Sequence, residues 1–158
     1  MKLEKWLEQW DLIKLQINAG FLRMEWSPQT ADKDAAWDLY FELLTRITTQ
    51  PLPDTHGDEK AALESVYQLF PLTRAILLRH GRDCINFLKI AVVVLNQIVR
   101  PFTTEWHRAA LEGAFDDPDK CKRFRDELSD KQAQLRQYAS MLAAMAGVED
   151  LTEIEKTD

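Results

Sequence analysis

The sequence predicts an all-α fold, a single bundle of about five helices kinked at Pro71 and Pro101. Three observations predict it. Residues 84–99 read CINFLKIAVVVLNQIV, apolar on nearly every face, and a helix of that kind is buried on all sides. Apolar residues recur at helical spacing elsewhere: Leu3, Trp10, Ile17 and Met24 fall seven apart. Helix punctuation is regular, with starts at Ser27-Pro28, Asp58 and Asp117-Pro118 and stops at Gly81, Gly113 and Gly147.

The first helix is expected over residues 3–26. Trp6 and Ile13 extend its first stripe, and Leu12, Leu15, Ala19 and Leu22 form a second. A rival alternation through Ile13, Leu15, Ile17, Ala19 and Phe21 reads as a strand, but the heptad spacing runs longer. Gly20 lies on the Leu3/Trp10/Ile17 side, where a close helix approach would need it. Ser27 then caps a second helix running to about Thr49, with Trp37, Tyr40, Phe41, Leu44 and Ile47 on one face. QPLPDTHG, residues 50–57, is a loop. Asp58 caps a third helix carrying Leu63, Val66, Tyr67 and Phe70. Pro71 breaks or kinks it, residues 72–79 resume it, and Gly81 closes it. The fourth helix spans residues 83–112 as the central element of the bundle, kinked at Pro101. The fifth carries Phe124, Leu128, Leu135, Tyr138, Leu142 and Met145 and stops at Gly147. Residues 1–147 thus form one bundle, and 148–158 an acidic tail, frayed or making a brief last turn.

A chain of 158 residues buries a sufficient core without staples. Two cysteines make no disulfide framework: Cys84 reads as a small buried hydrophobe, Cys121 as an exposed thiol among charges. The charged N-terminus lacks a signal-peptide core. Lys89, Asn96, Gln97 and Arg100 interrupt the longest apolar run, so a cytoplasmic chain with no membrane span is expected. The net charge of −6 is uneven. Residues 71–108 carry six basic against two acidic residues, whereas each flank carries seven against twelve. That distribution suggests internal pairing first and an anionic partner second.

Few residues carry chemistry. His56, His80 and His107 occur without CxxC, HxxxH or HExxH spacing, so neither a metal nor any other cofactor is expected. Lys120, Lys122, Arg123 and Arg125 form the densest basic run and could contact phosphates. The flanking acids Asp116, Asp117, Asp119, Asp126 and Glu127 favour a self-neutralising helix face instead. An acidic sequence pI of about 5.1 likewise disfavours a nucleic-acid-binding subunit.

Arg74 precedes His80, and Arg100 precedes His107, with five and six residues between. Both pairs resemble the R-x4–6-H signature of HEPN-type ribonucleases, all-α proteins of similar size. The resemblance implies RNA cleavage without metal, His107 acting as acid/base and Arg100 stabilising the phosphorane, across a dimer interface. The polar residue that often follows the arginine in that family is replaced here by Ala75 and Pro101. The segment LNQIVRPFTTEWH resembles small helical accessory proteins encoded beside bacterial phage-defence effectors.

The leading expectation is a non-enzymatic helical module that binds protein, as a homo-oligomer or an accessory subunit. Its first helix has two apolar stripes, more than one neighbour needs. Trp6, Trp10, Ile13, Ile17 and Trp26 are the expected interface, because aromatic anchors concentrate at interface centres.

Overall fold

The computed structural model of the protein describes residues 1–12, 14–54 and 57–156. It is an all-α single bundle, 71% helical, with no strand among these residues.

The first predicted helix is not continuous. Helix α1 (Leu3–Glu8) stops early, and only a short α2 (Ala19–Leu22) follows before the chain doubles back. Leu3 N donates to Met24 O at 3.0 Å and Trp26 N to Met1 O at 2.7 Å, a single antiparallel bridge between Lys2 and Glu25. Two local choices explain the break. Asp11 turns the chain at φ +54°, a conformation aspartate tolerates better than most residues. Asn18 prefers capping to helix interior, and its side chain accepts from Gly20 N at 2.8 Å. The Gly20 position therefore answers to Asn18, not to a neighbouring helix.

Helix α3 (Thr30–Leu44) begins two residues later than Pro28 would set it. Gln29 is the cap, in a reciprocal box with Asp32. Its buried face is Asp32, Ala35, Ala36, Leu39, Tyr40 and Leu43, and of the apolar face read from the sequence Trp37 is 49% and Phe41 58% exposed. The helix ends at Leu44, where Thr48 and Thr49 turn their hydroxyls onto the Leu43 carbonyl. These side-chain bonds replace the helical ones that a run to residue 49 would have made.

Asp58 caps α4 (Glu59–Tyr67) by accepting from Ala61 N. A single turn residue separates it from α5 (Leu69–His80). The break falls at Tyr67–Gln68, because the Pro71 ring has no N–H for the Tyr67 carbonyl and clashes with it; Pro71 then sits in the first turn of α5, where proline is tolerated. Gly81 closes α5 at φ +71°, ψ −157°, a region essentially restricted to glycine. After a 3₁₀ turn, α6 (Ile85–Val94), a π turn (Leu95–Val99) and α7 (Arg100–Leu111) form one long rod. The π turn lies immediately before Pro101 and absorbs its missing donor, so the expected kink takes that form. Asp117 caps α8 (Pro118–Ala146), which stops at Gly147 with φ +73°.

The centre of the bundle is α3, not the apolar rod. It packs most extensively on α8 and also touches α5 and α6, and its Ala35 and Ala36 let the helices approach closely. Cys84 is buried as expected; Cys121 is half-buried, with its Sγ near the Phe115 carbonyl at 3.3 Å, not exposed. The start of the tail is ordered: Leu151 N donates to the Tyr40 hydroxyl, and Asp150 accepts from Tyr40.

Candidate interaction surface

Helix α6 has the most apolar sequence of the chain, yet one face of it is uncovered. Phe87, Ile90, Ala91 and Val94 are buried against the bundle. Ile85, Leu88, Val92 and, in the π turn, Leu95 recur along the opposite side, with Ile85 47% and Val92 45% exposed. The expectation that residues 84–99 are enclosed on all sides is therefore incorrect: α3 packs on one face of α6, and among the described residues no helix covers the opposite one.

Walls rise on both sides of that stripe. The N-terminal segment contributes Ile17 and Phe21, leaving a cavity of about 420 Å³ beside Val92. Helix α5 contributes Leu77 and Leu78, the latter 86% exposed, with a cavity of about 480 Å³. A third, of about 190 Å³, reaches Phe70, Asn96 and Arg100. Leu88 lines all three, so they form one trough. The trough follows from the broken first helix. Gln97, presented by the π turn, accepts from Gln16 N and donates to Gln16 O, both at 2.8 Å, and holds the extended residues 16–18 alongside α6.

The rim is basic. Lys89 reaches over the Phe21 ring at 5.9 Å, and Arg74, Arg82 and Arg100 stand at the ends. None of these four makes an ion pair among the described residues, whereas Arg46, Arg79, Arg123 and Arg125 all do. Residues 59–111 also contain a window as apolar as a membrane span, of which 44% is buried within the bundle.

The residues expected at an interface lie as follows. Trp6 packs against Trp10 at 6.0 Å and against Trp26 at 6.1 Å between ring centroids. Trp26 is buried and the other two half-buried, and all three indole N–H groups lack an acceptor among the described residues, so ring contact holds this cluster. Ile17 lines the trough; Ile13 lies outside the described residues.

The basic run of α8 is largely neutralised, as its flanking acids imply. Lys122 pairs with Asp126 at 3.2 Å, and Arg123 with Glu105 and Glu127 while stacking over Trp106. Arg125 pairs with Glu59 at 3.0 Å and donates to the carbonyls of Leu52, Pro53 and Gly57, anchoring the proline loop; Lys120 is exposed at the start of the helix. His56 lies outside the described residues.

Arg100 and His107 have separate partners. Arg100 donates to Asn96 Oδ1 at 3.2 Å and lies over Phe70 at 4.6 Å; His107 contacts Glu64 at 3.1 Å and the edge of Tyr67. His80, at the end of α5, contacts Asp38 at 2.7 Å, away from Arg74, which lies over Phe70 at 5.8 Å. Burial, assisted by Asp32, raises the Cys84 thiol above its ordinary value, and burial raises Cys121, so both stay protonated at neutral pH. No cluster of three metal-ligating side chains occurs among the described residues.

The sequence reading missed Ile85, Val92 and Leu78 as exposed residues and Leu77 and Leu88 as half-buried ones beside them. One signal was present: Lys89, inside the apolar run, lies one helical turn from both Ile85 and Val92 and marks the side that faces water.

No protein family, curated protein or solved structure matches the chain.

Proposed function

We propose that the chain is a protein-interaction module whose trough along α6 receives an amphipathic helix with acidic flanks. The observation that carries this reading is the uncovered Ile85/Leu88/Val92 stripe at the floor of a walled groove. Contiguous exposed apolar surface rimmed by polar groups marks interaction sites, and a groove of this kind accepts the apolar face of a helix. The basic rim, unpaired among the described residues, selects acidic residues beside that face. A second copy of the chain is the poorer occupant, because a symmetric contact would set this rim against itself. A membrane surface fits a protruding apolar face better than a walled trough. On this reading the chain serves as an accessory subunit, in keeping with the resemblance carried by residues 95–107.

The test uses a three-heptad helical peptide with leucine at the a and d positions and glutamate elsewhere. It is compared with the same peptide carrying lysine. Fluorescence anisotropy should show saturable binding of the glutamate peptide, loss of binding to Ile85→Asp/Val92→Asp, and little binding of the lysine peptide. Absence of glutamate-peptide binding, equal binding of both peptides, or recruitment to anionic phosphatidylserine vesicles in its place overturns the reading.

A further inference from the structure

The narrow end of the trough is chemically distinct from the rest. Arg74 of α5 and Arg100 of α7 approach the same Phe70 ring, at 5.8 and 4.6 Å from its centroid. Neither is ion-paired among the described residues, and both line the cavity of about 190 Å³. A guanidinium stacked on a ring keeps its N–H edge available for a planar anion. Thr73 lines the same cavity, is 1% exposed, and its Oγ1 has no hydrogen-bond partner among the described residues. A helical threonine ordinarily returns its hydroxyl to a carbonyl one turn back. A buried hydroxyl without a partner is costly unless something else satisfies it. The Asn96 amide, whose oxygen accepts from Arg100, lines the same cavity. Behind these polar groups the lining is aliphatic: Leu77, Leu88, Ala91, Val92 and Leu95.

We infer that this end of the trough is a clamp for a carboxylate borne on an aliphatic chain, which the Arg74 and Arg100 guanidiniums grip while Thr73 Oγ1 donates the buried hydrogen bond. Its continuity with the groove through Leu77, Leu88 and Val92 identifies the carboxylate as a glutamate or aspartate side chain of the docked helix. The inference rests on the groove reading, but its test does not need the helix. Two like charges about one ring repel each other; a carboxylate between them relieves that repulsion and adds charge-assisted hydrogen bonds. The aliphatic lining discriminates against a free inorganic anion.

Sodium hexanoate is the probe, titrated against the whole chain and followed by amide chemical shifts. Saturable shifts should centre on Thr73, Asn96 and Arg100. 1-Hexanol should bind at least about tenfold more weakly, the loss expected for hydrogen bonds to a charged group. Arg74→Gln and Arg100→Gln, both at exposed positions, should each weaken hexanoate without altering the helical signal. Thr73→Val, which keeps the side-chain shape, should weaken it while the chain stays folded. Equal binding of hexanoate and hexanol, indifference to both glutamine variants, or saturation by inorganic phosphate at lower concentration than hexanoate overturns the clamp. In each of those cases the peptide experiment still decides the groove independently.

Discussion

Asp32 joins the N-termini of two helices with one carboxylate. Its Oδ2 accepts from Gln29 N at 2.7 Å and from Asn86 Nδ2 at 3.1 Å, and its Oδ1 accepts from Phe87 N at 2.9 Å. The residue is wholly buried at the start of α3, where the helix dipole favours negative charge. Removing the carboxylate takes away three charge-assisted hydrogen bonds and leaves the buried Phe87 N–H without its acceptor, whereas Asn86 Nδ2 keeps the Ser27 carbonyl at 3.2 Å. Asp32→Ala should therefore cost about 3 kcal/mol or more in denaturant unfolding; a loss below about 1 kcal/mol would contradict this account. Gly57 is constrained differently: a Cβ there would fall 2.3 Å from the Pro53 carbonyl, inside the loop that Arg125 anchors. Gly57→Ala should destabilise by about 1–3 kcal/mol, the range for forced overpacking, and a neutral result would show that the loop relaxes freely. Neither role was legible in the sequence. Asp32 reads there as one of several acids in a first turn, because its partners Asn86 and Phe87 lie more than fifty residues away.

Elements bounded by glycine and capping acids were read well, since those residues act locally, whereas the Ser27-Pro28 start gave way to Gln29, whose backbone N–H the Asp32 carboxylate holds. Asp58, Asp117, Gly81, Gly113 and Gly147 each sit at the helix end expected of them. The N-terminal segment was misread because heptad spacing alone ignores competing side-chain bonds. Asn18 and Gln97 satisfy backbone groups that a continuous helix would have paired, and nothing near residue 16 announces Gln97. The tail was under-read for the same reason, its anchor Tyr40 being remote in sequence. Burial alone would raise the Asp150 carboxyl, but hydrogen bonds from Thr152, Ser140 and Tyr40 outweigh it and hold it below its ordinary value. A lowered folded value means the carboxylate contributes fully above the unfolded value of about 3.9 and loses that contribution as pH falls through the folded one. The protection of the Leu151 amide, its exchange taken relative to the unstructured rate at the same pH, should accordingly be high at neutral pH and fall in acid below the carboxylate range, while core amides such as Phe87 keep theirs. Protection of Leu151 that persists through acid would show that Asp150 does not hold the tail.

For the molecule as a whole, composition and periodicity sufficed for the all-α class, but not for deciding which helix lies at the centre. Hydrophobicity pointed to residues 84–99, whereas the bundle is organised about α3, whose small Ala35 and Ala36 permit close packing that a hydropathy pattern does not register. The apolar excess of α6 thus exceeds what the described residues cover, and the basic middle of the sequence becomes the rim of the uncovered trough. Two faces of one helix should consequently respond in opposite ways to a buried-charge test. Thermal unfolding of Ile85→Asp, Val92→Asp and Ile90→Asp, followed by circular dichroism, compares them directly. The account predicts that Ile85→Asp and Val92→Asp unfold within a few degrees of the wild-type chain, surface changes being within about 0.5 kcal/mol. Ile90→Asp, 1% exposed, should lose most of the cooperative transition. If Ile85→Asp and Val92→Asp collapse the fold as Ile90→Asp does, the outer face of α6 is core, and the interaction surface proposed for it does not exist.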